Sequence, residues 1–67
     1  MDLAKELGRK IKEFRLRKKL SHGKLAELLG VHPTYISSLE RGMRNLTVKS
    51  LDKIAKALDT KVKNLID

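Results

Sequence analysis

The side chains able to do covalent chemistry are few, and their spacing does not suit it. The chain has no cysteine, which removes thiolate nucleophiles, disulfides and sulfur-ligated zinc. His22 and His32 stand ten positions apart with no convincing carboxylate partner, so no metal site is expected. No nucleophile–base pair and no phosphate-cradling glycine loop is present. The chain is therefore not expected to be an enzyme, nor to use a cofactor or a small-molecule substrate. Its abundant reactive groups are cations: 16 Lys and Arg oppose 8 Asp and Glu, for a net charge of +8. The excess is uneven, because residues 1–20 hold eight cations against Asp2, Glu6 and Glu13. A basic patch on a folded domain implies an anionic partner, most commonly nucleic acid.

The elements that position these groups are helical. A chain of 67 residues has room for one domain, 1–67, and one modest core. Such chains bury only about 60% of their unfolded surface and often gain stability by pairing. No apolar run approaches the roughly 20 residues of a membrane span. With no signal-peptide pattern at the start, a cytoplasmic protein is the default. The spacing predicts a first helix over residues 3–19, capped by Asp2, with Leu3, Leu7, Ile11 and Phe14 on its apolar stripe and Leu16 and Leu20 extending it. Ser21 caps a second helix over 22–29, buried through Leu25, Ala26, Leu28 and Leu29, and Gly30 follows where a left-handed residue is expected. His32 then takes the N-cap position and Pro33 the first helical position of a third helix over 33–41, which Gly42 ends. After a loop over 43–46, Thr47 caps a fourth helix with Leu51, Ile54, Ala55 and Leu58 on one face. Thr60 caps a last short helix over 61–66, apolar at Val62, Leu65 and Ile66. The fold class is all-α, a compact five-helix bundle in which the second and third helices form a helix-turn-helix.

The run Leu25-Ala26-Glu27-Leu28-Leu29-Gly30-Val31, then Tyr35-Ile36-Ser37-Ser38-Leu39-Glu40-Arg41-Gly42, resembles the lambda-repressor-like (Cro/repressor, Xre-type) family, as does Ile54-Ala55-Lys56-Ala57-Leu58. Within that family, Thr34-Tyr35-Ile36-Ser37 followed by Arg44-Asn45-Leu46-Thr47 is most similar to the controller proteins of restriction–modification systems. The resemblance implies a transcriptional regulator that binds double-stranded DNA as a homodimer, with its third helix in the major groove. It implies base-edge contacts by Pro33, Thr34, Ser37 and Ser38 and by Arg44 and Asn45 in the following loop. Phosphates would meet His22, Tyr35, Asn45 and Lys49. It also implies an ion pair between Glu40 and Arg15, and a dimer interface drawn from Leu46, Val62 and Leu65.

The chemistry of these positions bears on specificity. Thr34 and Ser38, four apart, share a helix face, yet both side chains are short. Pro33 has no hydrogen-bonding side chain. Arg44 alone can take guanine O6 and N7 together, so it is expected to dominate readout, with DNA shape supplying the rest. His22 stands where the family usually has glutamine; at a helix start it is well placed to donate to a phosphate. Glu40 is the one acid between Val31 and Lys49, and unpaired it would repel DNA.

Two other readings compete. The short side chains of the third helix also suit an antitoxin or adaptor whose main partner is a protein. A membrane-surface helix built from the basic first segment is the weaker rival, because its apolar stripe is needed to cover the other helices.

Overall fold

The computed structural model describes residues 2–66; Met1 and Asp67, the ends of the expected domain, lie outside them. Five helices follow in order: α1 (Leu3–Arg17), α2 (His22–Leu29), α3 (Pro33–Glu40), α4 (Val48–Ala57) and α5 (Val62–Ile66). No strand occurs among the described residues, and none of their helices is long and apolar enough to cross a membrane.

Capping side chains start these helices. The Asp2 carboxylate accepts from the backbone N–H groups of Ala4 and Lys5, at 3.0 and 3.3 Å. Ser21 accepts from Lys24 at 3.0 Å and Thr47 from Ser50 at 3.1 Å, satisfying donors that a helix start leaves open. In α3 the cap is an imidazole, His32 Nδ1 accepting the Thr34 N–H at 3.1 Å. Thr60 behaves otherwise. Its hydroxyl accepts from the Asn64 side-chain amide at 3.0 Å, and α5 begins at Val62, one residue later than expected.

Four helices end in one way. The N–H groups of Lys19 and Leu20 return to the carbonyls of Leu16 and Arg15, and those of Gly30 and Val31 to Glu27 and Ala26. Gly42 and Met43 return likewise to Leu39 and Ser38, and Asp59 and Thr60 to Lys56 and Ala55. This Schellman closure needs a left-handed residue at its turn. Gly30 (φ 70°) and Gly42 (φ 73°) supply it freely, whereas Lys19 (φ 57°) and Asp59 (φ 56°) do so at a steric cost. The first helix therefore stops at Arg17, two residues short of its expected end, because Lys19 reverses the chain and returns Leu20 to the core. The third stops at Glu40, with Arg41 as its C-cap.

The core joins Ile11 of α1, Leu25 and Ala26 of α2, and Ile36 and Leu39 of α3 to Leu51, Ile54 and Ala55 of α4, with Leu58 and Leu65 closing it. Three leucines expected on apolar faces lie in solvent instead: Leu3 at 76%, Leu16 at 55% and Leu28 at 53% exposure. Leu16 lies two residues beyond Phe14, about 200° further round the helix and off the buried stripe. Leu28 edges an open groove with Leu29, Lys53 and Ala57. Leu65 is corrected in the opposite sense. At 1% exposure it is a core residue of its own chain and has no surface left for a second one. Leu46 and Val62 are half-buried at the edge of the same core.

α1 crosses α3 in direct backbone contact at Gly8. A Cβ there would overlap the Leu39 carbonyl oxygen and stand 2.8 Å from that of Glu40. Gly23 is the opposite case, since a Cβ would meet only the Ser21 hydroxyl at 3.8 Å. Gly23→Ala is therefore expected to stabilise the domain by about 0.5 kcal/mol through helix propensity, raising Tm by roughly 2–4 °C. Thermal melting followed by circular dichroism checks this, and a lowered Tm would mean that α2 needs the glycine.

Candidate nucleic-acid interface

α3 turns its first residues outward. Pro33 and Thr34 are exposed and Ser37 is half-buried, while Ile36 and Leu39 anchor the opposite side. Ser38 departs from its expected place. It is 8% exposed, and its hydroxyl donates to the Thr34 carbonyl at 2.9 Å. Four-residue spacing aligns Ser38 with Thr34 along the helix, but the boundary of the buried side passes between them. The one donor of the Ser38 hydroxyl is already used, and burial leaves its acceptor lone pairs little access to a base edge.

The loop after α3 brings Arg44 back over it. The Arg44 guanidinium carbon lies 5.4 Å from the centre of the Tyr35 ring, within the range of a cation–π contact. Tyr35 packs against the core, so a fixed platform holds the guanidinium beside the first turn of α3. Lys49 is exposed in the first turn of α4. Asn45, also exposed, lines a cleft of about 400 Å3 together with Leu3, Leu7, Leu46 and Ile66.

Behind α3 lies a buried charged cluster. Arg15 donates from Nε to Glu40 Oε2 at 2.6 Å and from its Nη2 to Oε1 at 3.2 Å, and its Nη1 donates to the Leu20 carbonyl at 2.7 Å. Both side chains are nearly sealed from water, at 8% and 5% exposure. Glu40 has a further partner that spacing did not reveal: His22 Nε2 lies 2.9 Å from Oε1. Eighteen residues separate the two, so no local periodicity links them. Burial pushes the Glu40 carboxyl up, but hydrogen bonds from Arg15 and His22, reinforced by their charges, outweigh it and hold the group below the ordinary carboxylate value. The cluster ties the end of α3 to α1 and to the start of α2. No side-chain polar atom is buried without a partner among the described residues.

The outward first turn, the turn at Gly30 and the brace from α1 are the geometry of a helix-turn-helix. Residues 11–65 match the family model described as "Helix-turn-helix". The chain belongs to the lambda-repressor-like helix-turn-helix family. Among its relatives in that family, Control protein C.SmaI of Serratia marcescens is 42% identical over 66 residues, covering 98% of this chain and 79% of the relative. Control protein C.BamHI of Bacillus amyloliquefaciens is 44% identical over 61 residues, covering 90% of this chain and 75% of the relative. The crystal structure of the restriction-modification controller protein C.AhdI from Aeromonas hydrophila superposes with a TM-score of 0.87 at 35% identity, covering 92% of this chain and 94% of that one. The helix-turn-helix of this chain thus has the fold of a controller protein.

Proposed function

We propose that this protein is a sequence-specific regulator of transcription that binds double-stranded DNA as a homodimer. The observation that carries the reading is Arg44 stacked on Tyr35 beside the exposed first turn of α3. A preorganised guanidinium fork next to a helix of groove-reading geometry is suited to guanine O6 and N7. Pro33, Thr34 and Ser37 would lie against the groove floor and read shape and methyl groups more than hydrogen-bonding pattern. His22 at the start of α2, the Tyr35 hydroxyl, Asn45 and Lys49 would meet phosphates on either side. The +8 net charge supports binding that weakens steeply with salt.

For the dimer, the reading rests on Leu46 with the exposed Leu3 and Ile66, which edge one cleft, and on the half-buried Val62 of α5. Two-fold pairing would set half-site centres about 34 Å apart. The protein acts in this reading as a binding protein without catalysis, in the cytoplasm, and its place in a restriction–modification system is proposed on the names of its relatives.

The test is selection from random duplex DNA at roughly physiological salt, followed by salt titration of the best and worst duplexes. Enrichment of a symmetric site by about a thousandfold is expected. A flat selection would overturn the reading and favour the antitoxin or adaptor alternative, which the short side chains of α3 also suit. On the selected duplex, Arg44→Lys is expected to weaken binding by about five- to a hundredfold while sparing binding to random DNA. Equal weakening on both duplexes would reassign Arg44 to a phosphate.

A further inference from the structure

We propose that contact between His22 and a DNA phosphate takes up a proton, so that DNA affinity rises as pH falls. The inference deepens the DNA-binding reading above and rests on it. It turns on which imidazole nitrogen is left free. The Glu40 carboxylate is ionised beside Arg15, which donates to both of its oxygens, and so it can only accept hydrogen bonds. His22 Nε2, 2.9 Å away, therefore carries the hydrogen of that bond. In a neutral imidazole the other nitrogen, Nδ1, then holds a bare lone pair, which repels a phosphate oxygen. Only the imidazolium donates from both nitrogens and can bridge Glu40 and a phosphate. The proton comes from solvent to Nδ1, and no covalent bond to carbon is made or broken.

From α3 the group facing His22 is Glu40, and from α1 it is Arg15, which reaches the same carboxylate. On α2 itself Lys24 pairs with Glu27 at 3.5 Å. From α4, Lys53 and Lys56 line the groove beside Leu28 and Leu29, at the far end of α2. The second histidine is locked the opposite way. His32 Nδ1 must keep its lone pair to accept the Thr34 N–H, so protonating it there would remove the α3 cap. Acid therefore acts on the two histidines in opposite senses, and only His22 gains a contact.

The probe is the tightest duplex recovered by selection, with a random duplex as reference. Its affinity is measured from roughly pH 8 to roughly pH 6, where imidazoles change charge. Wild type is expected to tighten by about tenfold or more per protomer. His22→Gln should bind with little pH dependence, because an amide donates at either pH; it should bind tighter than wild type at the upper pH and weaker at the lower. His32→Ser, which keeps a capping oxygen, should retain the slope. Calorimetry in two buffers of unlike ionisation heat should detect proton uptake in wild type and His32→Ser and none in His22→Gln. Melting of each variant at both pH values separates folding from binding. A slope that survives in His22→Gln, or is missing from wild type while the duplex still binds, overturns the proton linkage and leaves the DNA reading standing. No binding to either duplex at any pH overturns both.

Discussion

Gly8→Ala is expected to leave much of the protein unfolded at room temperature. In most helices the exchange is favourable, since alanine gains about 1 kcal/mol of propensity over glycine. Here the new methyl would fall on the Leu39 carbonyl oxygen, with the Glu40 carbonyl carbon 2.9 Å away. These are backbone atoms, so no side-chain rotamer relieves the overlap, and α1 and α3 must separate by about an ångström. Overpacking of this kind costs about 1–3 kcal/mol or more. Separation also pulls on the Arg15–Glu40 pair, which spans the same crossing, so a net loss of about 3 kcal/mol is expected. A core of this size supplies only about 3–5 kcal/mol in total. Urea denaturation gives the answer directly: a midpoint unmoved by Gly8→Ala would show that the crossing is loose.

Glu40→Ala is the second large effect, with an expected loss of about 3–5 kcal/mol, as much as the whole core supplies, so this variant too should be largely unfolded at room temperature. The cost arises from what remains, namely an Arg15 guanidinium at 8% side-chain exposure with only the Leu20 carbonyl to receive it. Replacing both partners, Arg15→Met with Glu40→Leu, removes the stranded charge and should recover most of the loss. A double-mutant cycle measures that recovery, and simple additivity would mean the pair is not coupled. The pairing also sets an acid limit. Because folding lowers the Glu40 pKa from its ordinary 4.5, the stability it contributes is fully present above about pH 4.5 and is lost as pH falls through the lower folded value. Wild-type Tm should therefore drop more steeply than that of Glu40→Gln below about pH 4.5. Because Glu40 braces α3 from behind, its removal should change stability more than sequence preference; unchanged melting with lost preference would reverse that assignment.

Helix starts were the most legible part of this fold. A cap is a local event, and Asp2, Ser21, His32 and Thr47 each stand within three residues of the N–H they accept. Helix ends were legible only where glycine marked them. The closures at Gly30 and Gly42 could be read in advance, but the equivalent turns at Lys19 and Asp59 could not. Those two residues are held left-handed by the return of Leu20 and Thr60 to carbonyls five residues back, and nothing in their own side chains demands it. At the candidate site, periodicity aligned Ser38 with Thr34 but could not say which lay inside the boundary of the core. The contact between His22 and Glu40 was invisible for a related reason, since it depends on how α2 and α3 pack. Leu65 shows the same limit, because an apolar residue on a short terminal helix is equally suited to an interface or a core.

The repeated turn has a kinetic consequence. Each closure is made by hydrogen bonds between residues three and five positions apart, so four of the chain's reversals form without a search through distant segments. Helical chains dominated by such local contacts fold in roughly microseconds to milliseconds. A molecule that opens would be back before most proteases could cut it, and its degradation would then follow the equilibrium fraction unfolded more than the rate of unfolding. Variants such as Gly23→Ala and Glu40→Ala should accordingly change proteolytic lifetime in proportion to their effect on the folding equilibrium, whichever limb of the kinetics they alter.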